Sequence, residues 1–96
     1  MEKIVEYFEN GKVNYEGEIK DNKYHGFGKK YTLNGKLIYE GEFENGLPNG
    51  KGKLFVENKI AQGIFKDGKL YGKVEILDLI EGKTEHKIYS NGIVIE

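Results

Sequence analysis

The sequence predicts an all-β fold: a single-layer antiparallel meander of stacked hairpins, with about nine short strands, twisted or partly rolled. Three observations carry this. Fourteen glycines among 96 residues fall on a near-regular period. Between them polarity alternates residue by residue in segments rich in Tyr, Phe, Ile and Val, as in strands with two unlike faces. No stretch has a helical period, and turn residues punctuate the chain throughout.

Taken in order, Tyr7-Phe8-Glu9-Asn10-Gly11-Lys12 is a half copy of a unit seen again at Tyr31-Thr32-Leu33-Asn34-Gly35-Lys36. Tyr15-Glu16-Gly17-Glu18-Ile19 returns 24 residues on as Tyr39-Glu40-Gly41-Glu42-Phe43. His25-Gly26-Phe27-Gly28-Lys29 returns at the same interval of 24 as Asn49-Gly50-Lys51-Gly52-Lys53. A third copy follows after 22 residues, at Ala61-Gln62-Gly63-Ile64-Phe65 and Tyr71-Gly72-Lys73-Val74. A worn fourth lies at Glu85-His86-Lys87-Ile88-Tyr89-Ser90-Asn91-Gly92. The chain thus reads as one repeat domain over 1–96, with a half copy at 1–14, repeats near 15–38, 39–60 and 61–84, and a degenerate terminal copy at 85–96.

Each unit holds two turn signals. Asn10-Gly11, Asn34-Gly35, Asn58-Lys59 and Gly82-Lys83 read as two-residue hairpin turns, because Asn and Gly tolerate the positive φ that a type I′ turn requires. The stretches Lys20–Lys23, Glu44–Leu47, Lys66–Lys69 and Ser90–Ile93 read as longer loops. Ile19 set opposite Tyr24 brings Gly17 against Gly26 and Tyr15 against Gly28, and Tyr39 against Gly52. In the third copy the large–small pair becomes Ala61 with Val74, a swap expected of partners that share volume on one face. The Asn58-Lys59 turn sets Val56 against Ala61 and Leu54 against Gly63. One face then carries Tyr15, Ile19, Tyr39, Phe43, Leu54, Val56, Phe65, Val74, Ile76 and Tyr89. The other carries Glu16, Glu18, Glu40 and Glu42 on first strands, and Lys29, Lys51, Lys53 and Lys73 on second strands.

Composition narrows the function classes. The 15 basic residues, all Lys, balance 16 acidic ones for a net charge of −1. A near-neutral chain without Arg lacks the general attraction to polyanions and the bidentate readout of guanine or phosphate, so sequence-specific nucleic-acid binding is not expected. With no Cys there is neither a disulfide framework nor a thiolate ligand or nucleophile. No apolar run approaches a membrane span and no signal peptide is seen, so the sequence predicts a cytoplasmic protein, with membrane association not favoured.

Tyr-x-Gly-x-aromatic, a Gly-containing turn, then a small or polar residue and Gly-x-Gly, at a period near 23, resembles the MORN repeat. The copies at 15–28 and 39–52 match closely, 61–74 in part and 85–92 weakly. Ile19, Phe43 and Phe65 stand where that family often has Trp, and Ala61 and Val74 replace a Tyr and a Gly. The resemblance implies an elongated, twisted sheet of hairpins acting as a binding or scaffolding module. It also implies an alternative role in binding lipid headgroups. For short bacterial chains of this kind it implies an immunity- or antitoxin-like role.

Catalytic chemistry finds little purchase. Ser90 abuts a turn, Thr32 and Thr84 have no base nearby, and His25 and His86 lack partners at metal-ligand spacing, so no metal, cofactor or catalytic residue is expected. The best enzymatic case is a carboxylate-dependent hydrolase using Glu16/Glu18 or Glu40/Glu42. Residues two apart on a strand lie ~6.5–7 Å apart, close to the spacing in inverting glycosidases, but these acids sit among lysines without the burial that raises a catalytic pKa. Gly26-Phe27-Gly28 and Gly50-Lys51-Gly52 are not phosphate loops, since no helix follows either.

The sequence therefore predicts a non-catalytic protein-interaction module. Tyr15, Tyr39, Phe43, Phe65 and Tyr71 are the expected binding residues. Toward the C-terminus both faces turn apolar, with Val74, Ile76 and Ile80 on one and Leu77, Leu79, Ile88, Ile93 and Ile95 on the other. That second set is the expected patch for a protein partner or for self-association.

Overall fold

In a computed structural model, which describes residues 2–96, the chain is all-β and contains no helix. Met1, the first residue of the half copy, lies outside the described residues. Nine strands follow one another: β1 (Glu2–Tyr7), β2 (Val13–Lys20), β3 (Lys23–Tyr31), β4 (Leu37–Glu44), β5 (Leu47–Val56), β6 (Lys59–Lys66), β7 (Lys69–Asp78), β8 (Thr84–Ser90) and β9 (Ile93–Val94). They form one open antiparallel sheet in sequence order, measuring 37 × 26 × 18 Å, so each strand pairs only with its neighbours in sequence.

The turns depart from the sequence expectation: all four stretches read as longer loops are two-residue turns, and the β5–β6 turn, shifted by one residue, is a fifth. Asp21-Asn22, Asn45-Gly46, Asp67-Gly68 and Asn91-Gly92 are the four, and all eight residues have φ between 49° and 88°. Asp and Asn reach the left-handed region because their short side chains bond locally to the backbone. Asn10-Gly11 and Asn34-Gly35 instead sit in five-residue loops, closed by Phe8 N–H to Lys12 O and Thr32 N–H to Lys36 O, both 2.8 Å. The β5–β6 turn is Glu57-Asn58, one residue earlier than expected, so Leu54 faces Ala61 and Val56 faces Lys59.

Pairing also departs from the expectation at a repeated bulge. Ile19 does face Tyr24, but Gly17 faces Gly28 and Tyr15 faces Lys30, because His25, Gly26 and Phe27 together oppose Glu18. The same step recurs between Gly41 and Phe43, and between Gln62 and Ile64. Tyr39 thus faces Leu54, and Ala61 faces Ile76. Each step shifts the register by two residues, which leaves side chains on their expected faces.

The bulges align glycines across the sheet. Gly17, Gly28, Gly41, Gly52 and Gly63 stand side by side on β2 to β6. The Tyr15 ring lies over Gly28 and that of Tyr39 over Gly52, reaching diagonally from the neighbouring strand. Bulkier residues close the row: Ile4 faces Gly17 at one end, and at the other Val74 fills the space beside Gly63.

On this inner face Tyr15, Tyr39, Phe43, Phe65, Leu70 and Val74 are buried, with Ile19, Tyr24, Ile38, Leu54 and Ile76 packed against them. Val56, expected here, is 53% exposed beyond the packed rows. Tyr15 and Tyr24 stack at 3.7 Å, while Tyr39 meets Phe43 and Phe65 edge-on at 5.0 Å each. Aromatic pairs of this geometry add about 0.5–1.5 kcal/mol beyond their buried area. The tight turns bind the repeats at one rim: Gly46 N–H donates to Tyr24 O, Gly68 N–H to Pro48 O and Gly92 N–H to Leu70 O, at 2.8–2.9 Å.

Candidate functional site

The repeat's own aromatics build the interior. Of the five expected binding residues, Tyr15, Tyr39, Phe43 and Phe65 are all buried, and Tyr39, Phe43 and Phe65 also line an inner-face groove. The Tyr15 and Tyr39 hydroxyls donate to the carbonyls of Glu18 and Glu42, at 2.6 and 2.8 Å. Tyr71 is exposed on the outer face, with the Lys66 ammonium 5.5 Å from its ring centroid. Sequence reasoning placed the aromatic face correctly but could not distinguish a bound face from a packed one. Stacking between Tyr15 and Tyr24 depends on the bulge that separates their registers.

That inner-face groove, of about 490 Å³, is lined as well by Ile38, Leu54, Pro48 and Leu70, with Lys30 and Lys69 also at its walls. Lys30 is held by the Asn14 side chain and lies 5.4 Å over the Phe8 ring. Burial pushes its pKa below the ordinary lysine value, against the opposing pull of Glu6. Glu6 in turn accepts the Tyr24 hydroxyl, whose pKa burial raises well above that of a free phenol.

The outer face carries a row of residues in direct register: Val5, Glu16, Lys29, Glu40, Lys53, Gln62, Glu75 and His86. Beside it runs the backbone of the glycine row, in which Gly28, Gly41 and Gly52 are buried. Two hollows flank Phe27 there, one of about 500 Å³ along Lys3, Val5, Glu16 and Glu18, the other of about 400 Å³ along Lys51, Lys53, Gln62 and Ile64.

The carboxylate pairs read from the sequence are occupied by structural partners. Glu18 accepts the Phe27 N–H at 2.8 Å and Glu42 the Lys51 N–H at 2.6 Å, so each satisfies an amide that its bulge has displaced from the ladder. Glu40 pairs with Lys29 at 3.7 Å. Among the described residues no charged side chain is buried, and no three His, Asp or Glu gather where a metal could bind.

The C-terminal patch residues divide. Leu77 and Ile88 are half-buried, whereas Leu79, Ile93 and Ile95 are exposed, with Ile80 and Val94. Ile93 and Ile95 share the outer face with Ile88, close to Tyr71, while Leu79 and Ile80 lie at the far end of β8.

A family model of the MORN repeat matches residues 15–36 and 39–56. Two segments of the chain are similar to that repeat. They span β2 to β5, including the first two bulges and both tyrosine–glycine contacts. Beyond the matched MORN repeats the third copy keeps the bulge while exchanging Tyr for Ala61 and Gly for Val74. No curated protein matches the chain as a relative. No described helix is long and apolar enough to cross a membrane.

Proposed function

We propose that the chain is a non-catalytic protein-interaction module, a use to which MORN repeats are well suited. The observation that supports this reading most is the exposure of Leu79, Ile80, Ile93, Val94 and Ile95 around the last strands, from 45% for Val94 to 75% for Ile80. The inner-face aromatics need no further cover, but these side chains have none. The free outer edge of β9 lies beside three of them, and an exposed apolar edge is a surface that proteins normally shield.

A partner protein seated on this end buries Ile93 and Ile95 and leaves the repeat core undisturbed. An immunity- or antitoxin-like role is the finer form of this proposal and makes that partner a toxin. The test is affinity purification of the tagged chain from its native cell, beside sedimentation equilibrium of the pure protein. A stoichiometric complex, hetero- or homo-oligomeric, that is lost in Ile93→Glu/Ile95→Glu supports the reading. A chain that stays monomeric and retains no stoichiometric partner overturns it.

A further inference from the structure

The third repeat drops its acids where the neighbouring lysines would need them. The first-strand pairs Glu16/Glu18 and Glu40/Glu42 are followed, at the equivalent positions of β6, by Gln62 and Ile64. On β5, Lys53 therefore faces Gln62 and Lys51 faces Ile64. On the β4 side, the Glu42 carboxylate is engaged by the Lys51 backbone N–H and Glu40 by Lys29. Among the described residues Lys29 pairs with Glu40 and Lys87 with Glu85, and Glu75 lies beside His86. Neither Lys51 nor Lys53 is in an ion pair, although Glu40 faces Lys53 in register and lines the same hollow. The cluster of Lys29, Lys51 and Lys53 with Glu40 and Glu42 keeps one positive charge in excess.

Lys51 and Lys53 flank Gly52, on one face and ~6.6–6.8 Å apart along the strand. They stand over the hollow of about 400 Å³ whose floor is the backbone of Gly41, Gly52 and Gly63. Its apolar walls are Phe27, 51% exposed, and Ile64, 45% exposed at a position where the other repeats have Glu. We propose that this hollow docks an acidic segment of a partner protein, one that sets a carboxylate between Lys51 and Lys53 and an adjacent apolar side chain against Ile64 and Phe27. The proposal rests on the protein-binding reading above, and it adds a second surface and the chemistry of what that surface holds.

Charge and apolar contact favour a peptide over the other anions. The net charge of −1 gives the whole molecule no pull on a polyanion. Without Arg there is no planar fork to grip phosphate. Exposed Phe27 and Ile64 beside the lysines match a segment that sets an apolar side chain next to an acid. The lysines give orientation and register, and the apolar walls supply the contact area that a weak or transient complex needs.

The test is selection of a random peptide library displayed on phage against the intact chain. The best enriched peptide is then titrated against wild type, Lys51→Glu/Lys53→Glu, Ile64→Glu and Lys36→Glu, a charge reversal in an exposed loop outside both surfaces, each checked for native circular dichroism. Enriched peptides should share an acidic residue beside an apolar one. Lys51→Glu/Lys53→Glu and Ile64→Glu should each weaken binding at least tenfold, and Lys36→Glu should not. Should Lys51→Glu/Lys53→Glu misfold, Lys51→Ala/Lys53→Ala takes its place with the same expectation. Peptides without acids, or peptides whose affinity ignores Lys51 and Lys53, overturn the site while leaving the protein-binding reading intact. Phosphatidylcholine vesicles carrying phosphatidylserine provide the other arm. Retention on them that depends on both lysines, with no peptide enriched, assigns the hollow to membrane and overturns the proposal.

Discussion

The ring of Tyr15 occupies the space that a side chain on Gly28 would need: a methyl group added there would lie 2.6 Å from the ring carbon Cε1. The same relationship holds between Tyr39 and Gly52, again at 2.6 Å. Gly28→Ala and Gly52→Ala should therefore each cost about 1–3 kcal/mol through overpacking, read as a lower midpoint in urea. Tyr15→Phe keeps the ring and loses only the bond to Glu18 O, so it should cost about 1 kcal/mol.

Ala61 and Val74 stand where the matched repeats have Tyr and Gly. Ala61→Tyr alone drives a ring into buried Val74 and should destabilise the chain. Val74→Gly alone should destabilise it by leaving a cavity. Together they rebuild the geometry of Tyr15 over Gly28, so the double variant should be more stable than the sum of the singles predicts. A double-mutant cycle in urea measures that coupling; strict additivity would contradict the packing described.

The Glu42 carboxylate is the acceptor for a backbone amide that the second bulge has turned out of the ladder. Glu42→Ala should cost about 1 kcal/mol and speed hydrogen exchange at the Lys51 amide, with strand pairing elsewhere unchanged. Glu42→Gln keeps an acceptor oxygen and should restore most of the protection.

Alkali should loosen the fold over a defined window. Burial, reinforced by the charge of Glu18, pushes the Tyr15 hydroxyl up to about 12, and burial with Glu42 does the same for Tyr39, to about 12. A tyrosine in the unfolded chain ionises near ~10. A raised folded-state value means that the stabilisation is complete below pH ~10 and is lost as pH rises toward about 12. Urea midpoints from pH 8 to 12 should fall through that window, and Tyr15→Phe/Tyr39→Phe should flatten the decline.

The strands and most of their faces were legible because period-2 alternation survives the two-residue steps at the three repeat bulges, and is broken only locally by the one-residue shifts at Glu6/Tyr7 and Lys30/Tyr31. The three repeat bulges each shift pairing by two residues, and a shift of two leaves no trace in which side chains share a face. That is why Tyr15 could be placed above Gly28 from sequence while its backbone partner, Lys30, could not. The turns were misread for a different reason. Asn-Gly marks two left-handed residues but not the length of the loop that holds them, and Asp21-Asn22 reaches that conformation with no glycine. At the proposed docking hollow, the Gln62 and Ile64 exchanges are visible in the sequence. The engagement of Glu42 by an amide is not, since it exists only once the bulge has formed.

Ile4 and Val74 stand at the two ends of the glycine row like bookends. Between them, each tyrosine needs a bare neighbouring strand to lie on, and each new pair of strands would bring both the ring and the bare strand. A 24-residue unit duplicated between Lys36 and Leu37 would therefore slot into the sheet and lengthen it without disturbing either end. The same unit joined outside Ile4 would set its tyrosine against a side chain instead of a floor. A protein closed in this way gains length by insertion in its interior, not by extension of its margins.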